Sequence, residues 1–215
     1  MSKIYTDIFD QNRMKIWEQL RVFSDLGKLG GGTALALQIN HRVSYDFDIF
    51  TENPVEKALL RKVTAEFPNR NVKPLIDNTD ELTVEVGDVK LTFLFYPFKG
   101  IATPVSTKSL SLFGVEDLAA DKAYTVGRRG AWRDYYDIYS ILNKGIMSLE
   151  NITSFAKQKF GSLFSEKLFL EQLTYYNDIT DFSIETIQGT AVDFIKVQSM
   201  LKSFVKIYLS ETLKG

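Results

Sequence analysis

The sequence predicts an α+β fold, with a small sheet in the first half of the 215-residue chain and helices in the second half. Three segments between residues 72 and 96 are typical of β-strands. From Val115 onward, apolar residues recur almost continuously with helical spacing, interrupted mainly by glycines. We therefore predict an α/β part over residues 1–113 and a helical part over residues 114–215.

The individual elements follow from periodicity and from turn residues. An imperfect 3.6-residue apolar repeat favours a first helix, Thr33 is a suitable N-cap for a second, and Pro54 and Pro68 delimit a third. Gly87-Asp88 resembles a hairpin connection. The predicted helices are 10–25, 33–40, 54–67, 116–129, 131–143, 148–160, 165–176 and 190–212, and the predicted strands are 28–30, 46–51, 72–76, 81–86 and 89–96.

Composition excludes several classes of protein. The chain contains no cysteine, which rules out disulfides, thiolate metal sites and a catalytic thiol. A single histidine, His41, excludes a multi-histidine zinc site. The formal net charge of −1 means that any contact with nucleic acid must come from a local basic patch. No apolar run is long enough for a transmembrane helix and no signal peptide is evident, so we expect a cytoplasmic protein without a membrane partner.

The stretch from Leu29 to Phe50 contains the strongest indication of chemistry. Three consecutive glycines, Gly30 to Gly32, allow positive φ angles and close approach of a ligand to the backbone. The helix expected to begin at Thr33 would present unpaired N–H groups and a partial positive charge. Gly31, Gly32 and Thr33 are therefore candidate phosphate-binding residues.

Two aspartates follow this glycine turn. Asp46 and Asp48 are two residues apart in a predicted strand, so both carboxylates point to one side of a sheet. They are candidate ligands of Mg²⁺ or Mn²⁺, or else they mark the exposed face of a half-buried strand. Ser44 is either a phosphate ligand or a turn cap. Arg42 contacts either a phosphate or the two aspartates.

A second cluster lies in residues 115–142. Lys122 and Arg129 share a mostly apolar helix face, where an ammonium must find an anion. Asp134 and Asp137 are three apart in the next predicted helix and therefore lie on one face. Asp134 either holds Lys122, acts as a general base, or pairs with a neighbouring arginine.

Together these segments resemble the AbiEii/AbiGii toxin-type nucleotidyltransferases, part of the wider superfamily with a DNA polymerase beta type of catalytic core. The resemblance covers residues 29–50 and 115–142. The motifs that carry it are G-G-T-A-L-A-L from Gly31, H-R-x-S-x-D-x-D-I-F from His41, E-D-L-A-A-D-K from Glu116 and R-D-x-x-D-I-Y from Arg133.

The resemblance implies a polymerase-beta-type core with a small mixed sheet, followed by a helical domain that completes the active-site cleft. It further implies an NTP donor, Mg²⁺ or Mn²⁺, a macromolecular acceptor such as tRNA, and a cognate antitoxin in a toxin–antitoxin or abortive phage-infection system. The implied catalytic residues are Asp46, Asp48, Lys122 and Asp134. The implied nucleotide-binding residues are Gly31, Gly32, Thr33, Arg42, Ser44, Lys122, Arg129 and Asp137.

One position departs from the superfamily pattern. A third carboxylate usually comes from a later strand, and Thr92 occupies that slot in V-K-L-T-F-L-F. Two alternatives are kept open: a nucleotidyltransferase acting on small molecules and, because of Thr92, a nucleotide-binding regulator without turnover. A basic cluster of Arg128, Arg129 and Arg133, with Lys122 and Arg42, is suited either to an RNA acceptor or to the phosphates of the donor.

Overall fold

The structure, a computed structural model, describes residues 3–126 and 128–212. Within these ranges it contains five β-strands and eight α-helices, which confirms the predicted α+β class. The chain divides into two compact units. The first comprises Met1–Lys99 and Thr103–Gly114, and the second comprises Gly100–Ala102 and Val115–Gly215.

The first unit is built on a five-stranded mixed sheet. Its elements are α1 (Gln11–Gln19), β1 (Gly27–Leu29), α2 (Gly31–Ile39), β2 (Phe47–Thr51), α3 (Leu59–Glu66), β3 (Val72–Asp77), β4 (Glu81–Val86) and β5 (Val89–Phe95). The strand order is β1-β2-β5-β4-β3. β2 and β5 run parallel, whereas the other neighbouring strands are antiparallel. Gly87, at φ +67°, allows the tight β4–β5 hairpin, as predicted.

The two faces of this sheet differ in character. Phe47 and Phe93 are fully buried on one face, where Trp17 stacks on Phe47 and Phe23 meets Phe93 edge to ring. The alternating residues of β2 and β5, including Asp48, point to the opposite face and are half-buried. The most deeply buried side chains of these strands thus lie on one side of the sheet, and the other side carries half-buried residues, both polar (Asp48, Thr92) and apolar (Phe50).

Two predicted helix starts in the first unit are wrong. α2 begins at Gly31 with Gly30 as its N-cap, so Thr33 lies inside the helix and does not cap it. The positive φ of Gly31 brings the chain into the helix two residues earlier. α3 begins at Leu59 and not at Pro54. The Val55 N–H donates to Thr79 O, which holds the intervening segment out of the helix.

The second unit is helical. Its elements are α4 (Val115–Val126), α5 (Trp132–Asn143), α6 (Leu149–Phe160), α7 (Glu166–Gln172) and α8 (Phe194–Thr212). α8 starts later than the predicted residue 190, because the Asp193 side chain accepts the Lys196 N–H. Trp132 and Tyr135 are buried aromatic residues of this unit. None of the described helices combines the length and the apolar composition required to cross a bilayer.

Candidate functional site

The glycine turn leads directly into α2 and leaves the first N–H groups of the helix outside its hydrogen-bond pattern. The first helical hydrogen bond is donated by the Ala34 N–H to Gly30 O, at 3.3 Å. The amides of Gly31, Gly32 and Thr33 therefore precede the hydrogen-bonded part of the helix. These donors, together with the positive end of the helix dipole, suit an anionic group.

The carboxylate of Asp48 lies directly against this turn. A Cβ at Gly31 would overlap Asp48 Oδ2, and the Gly30 N–H donates to Asp48 O at 2.8 Å. Gly31 also has a φ of +63°, which side chains rarely adopt. Glycine is therefore required at this position both by backbone conformation and by the approach of Asp48.

The segment before β2 contacts the same turn. A Cβ at Gly32 would overlap Arg42 Nη2, and it would lie 3.4 Å from Ser44 Oγ. Thr33 Oγ1 is hydrogen-bonded to Ser44 Oγ at 2.8 Å and to the main-chain oxygen of Asp46. The structure thus brings the predicted residues of the first unit together around the start of α2.

Asp46 and Asp48 point to the same face of the sheet. Asp48 lies opposite Thr92 in the parallel β2–β5 pairing. Asp46 Oδ2 lies 3.2 Å from Lys90 Nζ, and Lys90 is two residues from Thr92 on the same strand face. The Asp46 side chain remains 40% exposed, so a ligand can reach it. Lys90 was not identified from the sequence, although the alternation in β5 placed it on this face.

Two carboxylates on one face fit a cation that also binds phosphate. Mg²⁺ commonly takes one or two protein carboxylates and completes its coordination with water and phosphate oxygens. Across residues 3–126 and 128–212, no group of three or more histidine, aspartate or glutamate side chains is arranged to hold a metal ion. Asp46 and Asp48 therefore suit an ion shared with a phosphate, and not a site made of protein ligands alone.

Lys122 lies in a buried cluster of the second unit. Its Nζ is 2.6 Å from both Asp134 Oδ1 and Asp137 Oδ2, so the two aspartates share one face of α5 as predicted. Arg129 Nε also lies 2.9 Å from Asp134 Oδ2. Of the roles considered for Asp134, the structure shows ion pairing with Lys122 and with Arg129. The nucleotide-binding roles of Lys122, Arg129 and Asp137 stay predictions.

The environment of Asp134 makes it a weak proton acceptor. Burial alone would raise the pKa of this carboxyl, but the Lys122 ammonium and the Arg129 guanidinium outweigh it and hold the pKa below its ordinary value. A carboxylate with a lowered pKa stays ionised at neutral pH. This supports a role for Asp134 in holding the two cations more than a role as general base.

A second buried lysine was missed from the sequence. Lys159 Nζ lies 2.9 Å from Asp117 Oδ1 and 2.7 Å from Asp121 Oδ1. Asp117 also accepts hydrogen bonds from the N–H groups of Ile101 and Ala102. Asp121 and Lys122 are neighbours in sequence but bind partners on different helices. Lys159 lies in the predicted helix 148–160, and only the acidic residues of α4 could have indicated its partners.

Known structures share this fold. MenT4, the nucleotidyltransferase toxin Rv2826c from Mycobacterium tuberculosis H37Rv, aligns with a TM-score of 0.59 at 14% identity, covering 90% of this chain and 82% of that one. The crystal structure of JHP933 from Helicobacter pylori aligns with a TM-score of 0.54 at 14% identity, covering 98% and 97%. At such identities the similarity establishes the fold.

Sequence similarity, unlike the similarity of fold, identifies the family of this chain. An uncharacterized protein of Aquifex aeolicus (strain VF5), aq_aa25, is 28% identical over 185 residues, which is 84% of this chain and 87% of that protein. Residues 28–190 match the family model described as nucleotidyl transferase AbiEii toxin, type IV TA system. That match covers the glycine turn, both aspartates and both buried lysines. The chain therefore belongs to the AbiEii family of nucleotidyltransferase toxins.

Proposed function

We propose that this protein transfers an NMP from an NTP to a hydroxyl group of a macromolecular acceptor, with tRNA as the first candidate. The observation that carries the proposal is the packing of Asp48 and Arg42 against the glycine turn at the start of α2. A triphosphate bound at these amides would lie beside two accessible carboxylates and a guanidinium.

Each residue of the first unit has a distinct task in this proposal. The amides of Gly31 and Gly32 bind phosphate oxygens, and Arg42 supplies a fixed positive charge beside them. Thr33 and Ser44 hold the loop before β2 against the helix through their hydrogen bond. Asp46 and Asp48 would hold Mg²⁺ or Mn²⁺, which supplies charge neutralisation at the transferred phosphoryl group when bound.

A transfer assay tests this proposal. Each α-labelled NTP is incubated with Mg²⁺ or Mn²⁺ and with total RNA, purified tRNA or a panel of small hydroxyl compounds, while pyrophosphate release is measured. We expect label on RNA, and we expect Asp48→Asn to lower the rate by about 100-fold or more because a ligand carboxylate is lost. Asp77→Asn, on the exposed edge strand β3, is the matched control and should keep the wild-type rate.

The outcomes separate the alternatives. Label on small hydroxyl compounds alone would favour the small-molecule enzyme. Tight NTP binding without pyrophosphate release for any acceptor would favour the nucleotide-binding regulator, which the position of Thr92 opposite Asp48 also favours. Wild-type rates in folded Asp48→Asn would contradict the proposal.

We further propose that the activity is the toxic function of a toxin–antitoxin or abortive phage-infection pair. Induced expression should then arrest growth, and Asp48→Asn should relieve the arrest at equal protein level. Co-expression of the product of the neighbouring gene should also relieve it if that product is the cognate antitoxin. Continued arrest by Asp48→Asn would separate toxicity from nucleotidyl transfer.

A further inference from the structure

A row of alternating charges crosses the sheet of the first unit beside the candidate site. Glu85 on β4 lies opposite Lys73 on β3 and opposite Lys90 on β5. Residues that face each other in register point to the same side of a sheet. Asp46 lies just before β2, and its Oδ2 is 3.2 Å from Lys90 Nζ. Across the strands, the charges therefore alternate from Lys73 to Glu85, Lys90 and Asp46.

Lys90 has a carboxylate on each side but contacts the one in the candidate site. Glu85 Oε2 lies 3.5 Å from Lys73 Nζ, so this carboxylate is already paired with a lysine of the edge strand. The Lys90 ammonium contacts Asp46 instead. The structure thus directs this side chain towards the candidate metal ligands and away from the edge of the sheet.

The contact between Lys90 and Asp46 is suited to exchange. Their side chains are 43% and 40% exposed, so the pair is only weakly stabilised and water reaches both groups. The flexible four-carbon stem of a lysine lets its ammonium turn to another anion while the strand stays in place. Arg42, by contrast, is 4% exposed and donates to Val43 O at 3.0 Å. The candidate site therefore combines a fixed guanidinium with a movable ammonium.

Cation binding at the two aspartates would remove the partner of Lys90. When Asp46 and Asp48 bind Mg²⁺ or Mn²⁺, the Asp46 carboxylate is neutralised and further positive charge lies beside the ammonium. The two cations repel each other unless an anion lies between them. Phosphate oxygens complete the coordination of such an ion, so an NTP brings an anion to the same place. Lysine commonly binds phosphate as a compact point charge.

We propose that Lys90 is a further phosphate-binding residue, which pairs with Asp46 until a metal ion binds there and then with a phosphate oxygen of the NTP. This inference deepens the proposed function and rests on it. Lys90 opposes the binding of metal alone and favours the binding of metal and NTP together. It thereby couples the two binding events, so that each ligand strengthens the binding of the other.

Equilibrium binding measures the two roles of Lys90 separately. Mn²⁺ alone is titrated by electron paramagnetic resonance, and the α,β-methylene analogue of each NTP is titrated by calorimetry at saturating Mn²⁺. Lys90→Met should bind Mn²⁺ alone about threefold more tightly, because the competing ammonium is gone. It should bind the analogue about tenfold more weakly, because a charged hydrogen bond to phosphate is lost. Lys90→Arg keeps the charge and should bind the analogue within about threefold of wild type.

Lys73→Met is the matched control. It removes the same charge from the same side of the sheet, but Lys73 contacts Glu85, and strands β4 and β5 lie between it and Asp46. Its affinities for Mn²⁺ and for the analogue should differ from those of wild type by less than about 1.5-fold. A general effect of net charge would instead change both lysine variants alike. Thermal melting verifies that every variant is folded.

The contradicting results are distinct. If wild type binds Mn²⁺ and an analogue while Lys90→Met matches Lys73→Met in both affinities, the inference is wrong and the proposed function stands. Weaker binding of both ligands by folded Lys90→Met would also overturn it, because Lys90 would then support the site as a whole. A change in Mn²⁺ affinity alone would overturn the role of Lys90 as a phosphate ligand. If wild type binds neither Mn²⁺ nor any analogue, the proposed function fails and the inference fails with it.

Discussion

Both units contain lysine–aspartate pairs, but the pairs differ in burial. Lys90 and Asp46 are 3.2 Å apart with side chains about 40% exposed. Lys122 lies 2.6 Å from both Asp134 and Asp137, and all three side chains are at most 9% exposed. An exposed pair contributes about 0–1 kcal/mol, so a ligand can displace it at little cost. A buried pair cannot be separated without leaving an unpaired charge in the protein interior, which is costly.

This difference in burial indicates different roles for the two regions. In the first unit, half-exposed carboxylates surround a glycine turn that is suited to phosphate. In the second unit, Lys122 and Lys159 each neutralise two aspartates, and these contacts join α4 to α5 and to α6. Under the proposed function, similar residue types therefore bind a ligand in the first unit, where water reaches them, and hold helices together in the second unit, where it does not.

The largest effect should come from breaking the buried cluster. Lys122→Met should lower the free energy of unfolding by about 3–5 kcal/mol, because Asp134 and Asp137 lose their shared cation. Lys90→Met is the control in the exposed pair and should change it by less than about 1 kcal/mol. Urea unfolding at pH 7 measures both. Equal effects would show that burial does not separate the two regions.

Two matched glycine substitutions test the role of the glycine turn in the first unit. Gly31→Ala should lower the free energy of unfolding by about 1–2 kcal/mol because of its positive φ, and should also reduce NTP-dependent transfer by displacing Asp48. Gly145→Ala carries the same strain at φ +64° with no atom within 4 Å of the added Cβ. It should lose similar stability and keep full activity. Equal activity of the two variants would refute the role of the Asp48 approach.

Lowering the pH should have the smallest of these effects on stability. The folded-state pKa of Asp134 lies below its ordinary value, so its contribution to stability is fully present above about pH 4 and is lost as the pH falls further. The urea midpoint of wild type should therefore fall more steeply between pH 4 and pH 3 than that of Asp134→Asn. Parallel curves would mean that this carboxylate is not stabilised by its two cations.

Local patterns predicted most of the fold. The β4–β5 hairpin, the two strands flanking the glycine turn and the helices of the second unit follow from periodicity and from turn residues that act over a few positions. The starts of α2, α3 and α8 were misplaced because they depend on the positive φ of Gly31, on a distant hydrogen-bond partner and on a side-chain cap, respectively. Thr79 O, for example, lies more than twenty residues from the Val55 N–H that it binds.

The sequence by itself determined the residue types and their order: three glycines before a helix, Asp46 and Asp48 on one strand face, and Lys122 on an apolar helix face that required an anion. Only the tertiary structure decided their partners. Pairing of β2 with β5 placed Lys90 beside Asp46 and Thr92 opposite Asp48, and packing of α4 gave Lys122 and Lys159 two aspartates each. Periodicity specifies the face on which a side chain lies. The element that covers that face, and whether water still reaches it, depends on contacts between residues far apart in the chain.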